Sequence, residues 1–242
     1  MKSINLADIA TLRRAKQHFH DCYLVTSLNS LSNSENGRKI LQNNILRDGN
    51  NFKIKFKNIN GNQEDFFITE KEIDNLTLCD RFFNPIELKE PHNPIIKAIE
   101  VAMNKLLSKF PDKKSFINRL YKTNEQFEYN NPSRFMEMFT GITPLNINEK
   151  SFRMSLRKNS DDAKGLFQQI GNNNNSSFIV GTGHNFINGM TNWHCYTLEK
   201  VDNTNKTIQI FDHRFQEKIT MPFDEAVKKL KYITGYFNEN LK

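Results

Sequence analysis

The sequence predicts an α+β fold, because the spacing of its apolar residues changes along the chain. From residue 22 to about residue 170 most segments have the period of an amphipathic helix, whereas from about 177 to 220 apolar and polar residues alternate as in short strands. One β-hairpin interrupts the helical part near 51–69. Helices followed by strands favour an antiparallel sheet beside a helical part. A length of 242 residues suits one large domain or two small ones.

The first helix is predicted to begin at Cys22, directly after Asp21, whose carboxylate suits the N-cap position. Leu24, Leu28 and Leu31 then recur at helical spacing. Further helices are predicted over 37–46, 94–109, 114–121, 132–139 and 160–170, and a last one from Pro222.

Strands are predicted where the period is two residues. Phe52, Ile54 and Phe56 alternate with lysines, and a turn at 60–62 returns the chain through 66–68. In the carboxyl part, 177–182 is predicted as one strand and two more flank a turn at 202–205. These three segments are expected to form the sheet.

Composition excludes several classes of protein. The net charge of +7 permits an acidic partner, but the 34 basic residues are scattered and form no block, so we expect no nucleic-acid binding. No apolar stretch is long enough to span a membrane, and the charged first 17 residues lack the apolar segment of a signal peptide. Three cysteines without C-x-x-C spacing indicate neither a disulfide framework nor a zinc site, and we expect no cofactor and no metal.

Cys22 is a candidate nucleophile because of its place in the first predicted helix. At the start of a helix, unpaired backbone N–H groups and the positive end of the helix dipole favour a thiolate. The alternative interpretation is that Cys22 is a small buried residue of the core. A thiol nucleophile also needs a base and a group that orients that base.

His194 is the best candidate for that base. A hairpin turn centred near residue 203 would place His194 opposite Asp212 or one position away. An aspartate there could accept the imidazole Nδ1–H and leave Nε2 free to serve a thiol. A surface His–Asp pair that closes the hairpin is the alternative. The N–H of Cys22 and the side chain of Gln17 are candidate oxyanion donors, although Gln17 could equally be a solvated loop residue.

These residues resemble a known family. The run D-C-Y-L-V-T-S-L from Asp21 to Leu28 is similar to the D-C-[WY]-[FL]-L-x-[AS]-[LI] nucleophile helix of calpain-like cysteine peptidases, in the papain-like superfamily. W-H-C-Y-T-L from Trp193 to Leu198 resembles the H-A-Y-[ST]-[VL] histidine strand. The supporting segments 95–106, 135–141 and 180–183 follow the order of the family, so that the resemblance covers about 10–235.

The resemblance implies a single two-lobed papain-like domain over residues 1–242. Its helical lobe would cover about 1–170 and its sheet lobe about 171–242, with the active site between them. Cys22 would be the nucleophile, His194 the general base and acid, and Asp212 the orienting group. The chain has Asp212-His213-Arg214 where the family has Asn-Pro-Trp, and Gln17 stands five rather than six residues before the cysteine.

We therefore expect a cysteine peptidase that cleaves a peptide or isopeptide bond of a protein or peptide substrate. A glutamine deamidase, a transglutaminase-like enzyme and a catalytically inactive papain-fold binding protein are the alternatives. A small calpain-like domain of this composition resembles bacterial effectors that act in virulence on host proteins. Its expected location is the cytoplasm, or a host cell reached through a specialised, non-Sec secretion system.

Overall fold

The computed structural model describes residues 1–13, 15–16, 22–57, 61–76, 93–108, 132–148, 156–173, 175–183, 190–191 and 194–241. These residues form helices and antiparallel strands, which confirms the α+β class. Asp21, Gln17 and the helix predicted over 114–121 lie outside the described residues. Within the described ranges, no helix is both long enough and apolar enough to cross a bilayer.

Most predicted helices are confirmed, with small changes at their ends. The described helices are α1 (Leu6–Arg13), α2 (Cys22–Asn33), α3 (Glu35–Asn44), α4 (Glu70–Asp74), α5 (Pro94–Ser108), α6 (Pro132–Thr140), α7 (Ser160–Asn172) and α8 (Phe223–Lys229). Helix α3 begins earlier than predicted because the Ser34 hydroxyl accepts the N–H of Gly37 at 3.0 Å and caps the helix.

A four-stranded antiparallel sheet contains the predicted hairpin. Its strands are β1 (Lys2–Ser3), β2 (Ile45–Asp48), β3 (Asn51–Lys57) and β4 (Gln63–Ile68), in chain order. Phe52, Ile54 and Phe56 are buried while their lysine neighbours are more exposed, as the alternation predicts. The hairpin is therefore the larger half of a sheet that also includes the amino end of the chain.

A six-stranded antiparallel sheet carries the carboxyl part of the chain. Its spatial order is β5–β10–β6–β7–β8–β9, formed by β5 (Leu145–Asn148), β6 (Ser176–Thr182), β7 (Cys195–Asp202), β8 (Thr207–Asp212), β9 (Glu217–Pro222) and β10 (Leu230–Phe237). Strand β10 was not predicted, because Leu230 continues the apolar spacing of α8. It pairs with both β5 and β6, so the sheet begins before residue 171.

The two faces of this sheet contact different hydrophobic clusters. Ile179 and Cys195 face the cluster that contains α2, whereas Val180 and Tyr196 face the cluster formed with α7 and α8. Neighbouring strand residues alternate between the two clusters because successive side chains point to opposite faces. Helix α2 therefore covers one face of β6 and β7.

Helix α2 is buried along its whole length between the sheet and the other helices. Every residue from Cys22 to Ser32 is buried, including several hydroxyl side chains. Thr26 donates to the Cys22 carbonyl and Ser27 to the Tyr23 carbonyl, both at 2.5 Å. Because the helix backbone accepts these hydroxyls, burying them costs little free energy.

Replacing Gly235 by Ala should destabilise the sheet, because an added Cβ would lie 2.1 Å from the Ser177 carbonyl oxygen of β6. We expect the free energy of unfolding to fall by about 3 kcal/mol, as for other overpacked sites. Gly165→Ala is the matched control, since no atom lies within 4 Å of its added Cβ, and this helical substitution should raise stability by about 0.5–1 kcal/mol. Urea denaturation of both variants measures the difference, and equal effects would contradict the packing described for β10.

Candidate functional site

Cys22 is the first residue of α2 and lies where that helix meets the six-stranded sheet. The hydrophobic side chains of α2 pack against β6 and β7. The first residue of the helix therefore lies near the beginning of β7. The side chain of Cys22 is 9% exposed, more than the side chains of Leu24 and Val25 behind it. Cys22 is thus a buried residue at the edge of the core.

His194 directly precedes β7, and its backbone is held by Thr182 at the end of β6. The N–H of His194 donates to the Thr182 hydroxyl at 3.1 Å, and the N–H of Thr182 donates to the His194 carbonyl at 3.0 Å. The imidazole stands edge-on to the Tyr196 ring, with centroids 4.7 Å apart. These contacts restrict both the position and the plane of the imidazole.

Asp212 ends β8 and binds the imidazole from the side of the sheet. The Nε2 of His194 donates to Asp212 Oδ1 at 3.1 Å, and both side chains are almost fully buried. The same oxygen accepts the backbone N–H groups of Arg214 at 2.8 Å and Phe215 at 3.3 Å. The turn after β8 thus holds the carboxylate of Asp212 in place, and this carboxylate in turn orients the imidazole of His194.

The predicted register of this hairpin was wrong, although the His–Asp contact exists. Leu198 pairs with Ile210, so the position opposite Asp212 belongs to Tyr196, and His194 lies diagonally one pair further along. The turn occupies 203–206, and a bulge follows Leu198, which together shift the pairing. Diagonal neighbours on one sheet face remain within reach of side chains as long as imidazole.

The predicted choice of ring nitrogen was also wrong. Asp212 binds Nε2 of His194, so Nδ1 rather than Nε2 is the nitrogen left for the thiol. The His194 imidazole and the Cys22 thiol lie close enough to affect each other's pKa. The structure therefore brings the three predicted side chains together: His194 binds Asp212 and lies near enough to Cys22 to affect its pKa. The remaining predicted site residue, Gln17, lies outside the described residues.

The contacts of His194 favour its protonated form. Burial alone would lower the pKa of the imidazole, but the hydrogen bond to Asp212 and its charge, together with the neighbouring Cys22, outweigh burial and raise the pKa to about 9. Burial raises the pKa of the Asp212 carboxyl. The hydrogen bonds from His194 and from the two backbone N–H groups outweigh burial and hold this pKa below its usual range. At neutral pH the two side chains form a buried ion pair.

A second thiol, not assigned by sequence reasoning, lies beside the first. The Cys22 Sγ donates to the Cys195 Sγ at 3.8 Å, and the Cys195 Sγ lies 2.9 Å from the Tyr232 hydroxyl. The hydrogen bond with Cys195, followed by burial, raises the pKa of Cys22, whereas His194 lowers it. Cys22 is accordingly a neutral thiol in the resting protein.

The alternation of strand residues explains why Cys195 was missed. Cys195 and Tyr196 point to opposite faces of β7, as a period of two requires. His194 stands before the strand begins, and Cys22 belongs to the same cluster as Cys195. Only the packing of α2 on the Cys195 face reveals that the two thiols are neighbours.

His213 is a further buried residue that had no predicted role. Its Nδ1 donates to the Ala15 carbonyl at 3.1 Å, and its Nε2 accepts the Thr197 hydroxyl at 2.9 Å. Burial lowers the pKa of this imidazole to about 4, so the ring is neutral and these two roles are fixed. His213 thus connects the segment that contains Ala15, shortly before α2, to Thr197 of β7.

The sequence matches no profile of a known protein family and no curated protein. The chemistry of the site must therefore be inferred from its geometry. A thiol, an imidazole and a carboxylate in this order can transfer an acyl group through the sulfur. Among the described residues, no three side chains of His, Cys, Asp or Glu converge as metal ligands would.

The free energy of unfolding should depend on the proton held by His194. Its pKa of about 9 in the folded protein exceeds the ordinary value of 6.5, so the stabilisation is complete below pH 6.5 and is lost as the pH rises through 9. We expect a loss of roughly 3 kcal/mol across this window in the wild type, from the factor of 1.36 kcal/mol per unit of pKa. Asp212→Asn should be less stable at pH 6.5 and show a flatter profile in denaturant titrations. An unchanged slope in this variant would contradict the ion pair.

Replacing Cys195 by Ala should make Cys22 more reactive. The substitution removes the hydrogen bond that contributes most to raising the pKa of Cys22. We expect the midpoint of Cys22 alkylation by iodoacetamide to move to lower pH, and the rate at pH 7 to rise several-fold. Peptide mass spectrometry in a Cys79→Ser background measures the rate at Cys22 alone. A slower rate, with the fold intact by circular dichroism, would contradict the assigned direction.

Proposed function

We propose that the chain is a thiol-dependent acyl-transfer enzyme, most simply a cysteine peptidase that cleaves a peptide or isopeptide bond. The observation that carries this proposal is the double engagement of His194, which binds Asp212 through Nε2 and couples to the Cys22 thiol. A histidine that only closed a hairpin would not need to interact with the first residue of a helix that is distant in the sequence. The side chains lie in the order required of nucleophile, base and orienting group.

In the proposed reaction, His194 Nδ1 takes the proton of Cys22 Sγ as the sulfur attacks the acyl carbon. The oxyanion forms near the amino end of α2, where the N–H of Cys22 can donate to it. His194 then gives its proton to the leaving amine, which leaves a thioester on Cys22. Water, activated by the same imidazole, releases the acyl group. Asp212 keeps the ring oriented throughout and stabilises its charged form.

The electrostatics of the site imply an alkaline reaction. His194 can accept the proton of Cys22 only after its imidazolium has lost its own, and its pKa is about 9. The pKa of Cys22 is also raised, so the thiol too loses its proton more readily at alkaline pH. The active form therefore shares one proton between Sγ and Nδ1, and it becomes more abundant as the pH rises towards 9.

The finer identity that we propose is a papain-like, calpain-like peptidase of the bacterial effector type. In support, the nucleophile begins a buried helix, and later in the chain the histidine directly precedes β7 while the aspartate ends the adjacent antiparallel strand β8. The substrate would be a protein or peptide, which an effector would meet inside a host cell. Asp212 occupies the place that an asparagine fills in the family pattern.

The proposal is tested with a peptide-based electrophile that forms a covalent bond to activated thiols. We expect rapid labelling of Cys22, with a rate that rises as His194 deprotonates near pH 9 and falls by about 100-fold or more in His194→Ala, the scale of general-base catalysis. Cys22→Ala should remove the label. Asp212→Asn should move the rise to lower pH, because it lowers the pKa of His194.

Cys79 serves as the internal control for this experiment. Labelling of Cys22 no faster than that of Cys79 at any pH, in folded protein, would reject the enzyme and favour a binding protein. Mass spectrometry of candidate protein substrates then separates the enzymes. A broken chain identifies a peptidase, whereas a gain of about one mass unit at a glutamine identifies a deamidase, both acting through the acyl-enzyme chemistry of a cysteine nucleophile.

A further inference from the structure

We propose that Cys22 and Cys195 form a reversible disulfide when the protein meets hydrogen peroxide. The two sulfurs lie 3.8 Å apart, about the van der Waals separation, although 173 positions separate them in the sequence. Both cysteines are free thiols and both are buried. Because tertiary packing alone brings the two thiols together, the disulfide would form whatever reaction Cys22 performs.

The geometry permits the bond with a small movement. A disulfide has a sulfur–sulfur distance of about 2.05 Å, so the sulfurs must approach by roughly 1.8 Å. Cys22 is the first residue of α2 and Cys195 is the first residue of β7, so each lies at the end of its element. Side-chain rotation and a small shift of these ends can supply that movement, since helix and strand ends are less constrained than their interiors.

The surroundings of the pair assist the chemistry. Cys22 is 9% exposed and Cys195 is 3% exposed, so a small oxidant reaches Cys22 more readily. The Tyr232 hydroxyl, 2.9 Å from Cys195 Sγ, can donate to a developing thiolate on that sulfur. His194 lowers the pKa of Cys22 in opposition to Cys195 and burial, so the reactive thiolate of this neutral thiol forms as the pH rises.

The oxidation balances with peroxide as the only added reactant. The Cys22 thiolate attacks one peroxide oxygen, the O–O bond breaks, and a sulfenic acid and hydroxide form. The Cys195 thiolate then attacks the sulfenic sulfur, the S–S bond forms and the S–O bond breaks. The leaving hydroxide takes up a proton as water, so that two thiols and one peroxide give one disulfide and two waters. A dithiol such as dithiothreitol reverses the oxidation by exchange.

The disulfide would have two effects on the site. It removes the free thiol of Cys22, so that all nucleophilic chemistry at this residue stops. It also prevents further oxidation of Cys22 to sulfinic acid, which thiols cannot reverse. Cys195 thus acts as a resolving cysteine that protects the more exposed sulfur.

The test uses the folded full-length chain in a Cys79→Ser background, which leaves only Cys22 and Cys195. After treatment with hydrogen peroxide and trypsin digestion without reductant, we expect a linked pair of peptides spanning 17–38 and 165–200. Their mass should be about two units below the sum of the free peptides, because disulfide formation removes two hydrogens. Dithiothreitol should restore alkylation of Cys22 to at least nine-tenths of its untreated level, by thiol–disulfide exchange.

Cys195→Ala in the same background is the matched control. In this variant peroxide should carry Cys22 to the sulfinic acid, and dithiothreitol should recover about tenfold less reactive thiol, because no resolving cysteine remains. Cys195→Ser provides a second variant if the alanine variant does not fold. Absence of the linked peptides from the folded Cys79→Ser protein, or equal recovery with and without Cys195, would overturn the proposal. The readout does not require peptidase activity, so this outcome is separable from failure of the proposed function.

Discussion

The packing of α2 across β6 and β7 is the constraint on which the site depends. A helix buried from Cys22 to Ser32 must fit the sheet along its apolar side. Once Leu24, Val25 and Leu28 are seated in the core, the position of the first residue is no longer free. The core of the molecule therefore determines which side chains lie near Cys22, and among the described residues these include His194 and Cys195.

The hydrogen bonds of the sheet complete what this packing begins. Thr182 holds the backbone of His194, and the turn after β8 holds the carboxylate of Asp212. Cys22 thus begins a helix, His194 directly precedes a strand and Asp212 ends one. Each is stabilised by contacts outside the site. Such second contacts keep the reactive groups oriented, because a side chain is positioned only as well as the groups that support it.

The buried titratable groups of the site differ in protonation state, according to the partners of each group. The Asp212–His194 ion pair holds a proton up to about pH 9, and Cys195 with burial keeps Cys22 neutral. His213, which directly follows Asp212, is neutral because burial lowers its pKa to about 4. The two imidazoles, His194 and His213, therefore have opposite protonation preferences, since only His194 has a hydrogen bond to a carboxylate.

The sequence by itself determined most of the helices and strands and the candidate residues Cys22, His194 and Asp212. Helical spacing located α2, α5, α6 and α7, and alternation located β3, β6, β7 and β8, because each signal is set by residues close together in the chain. The same local patterns placed His194 near Asp212, although a bulge and a longer turn changed their register. Strand β10 escaped prediction because Leu230 fits a helix and a strand equally well. Only the tertiary structure decided which ring nitrogen faces Asp212 and that Cys195 lies 3.8 Å from Cys22. Those facts depend on how α2 docks onto the sheet, and docking is fixed by contacts between residues far apart in the sequence, which no local period records.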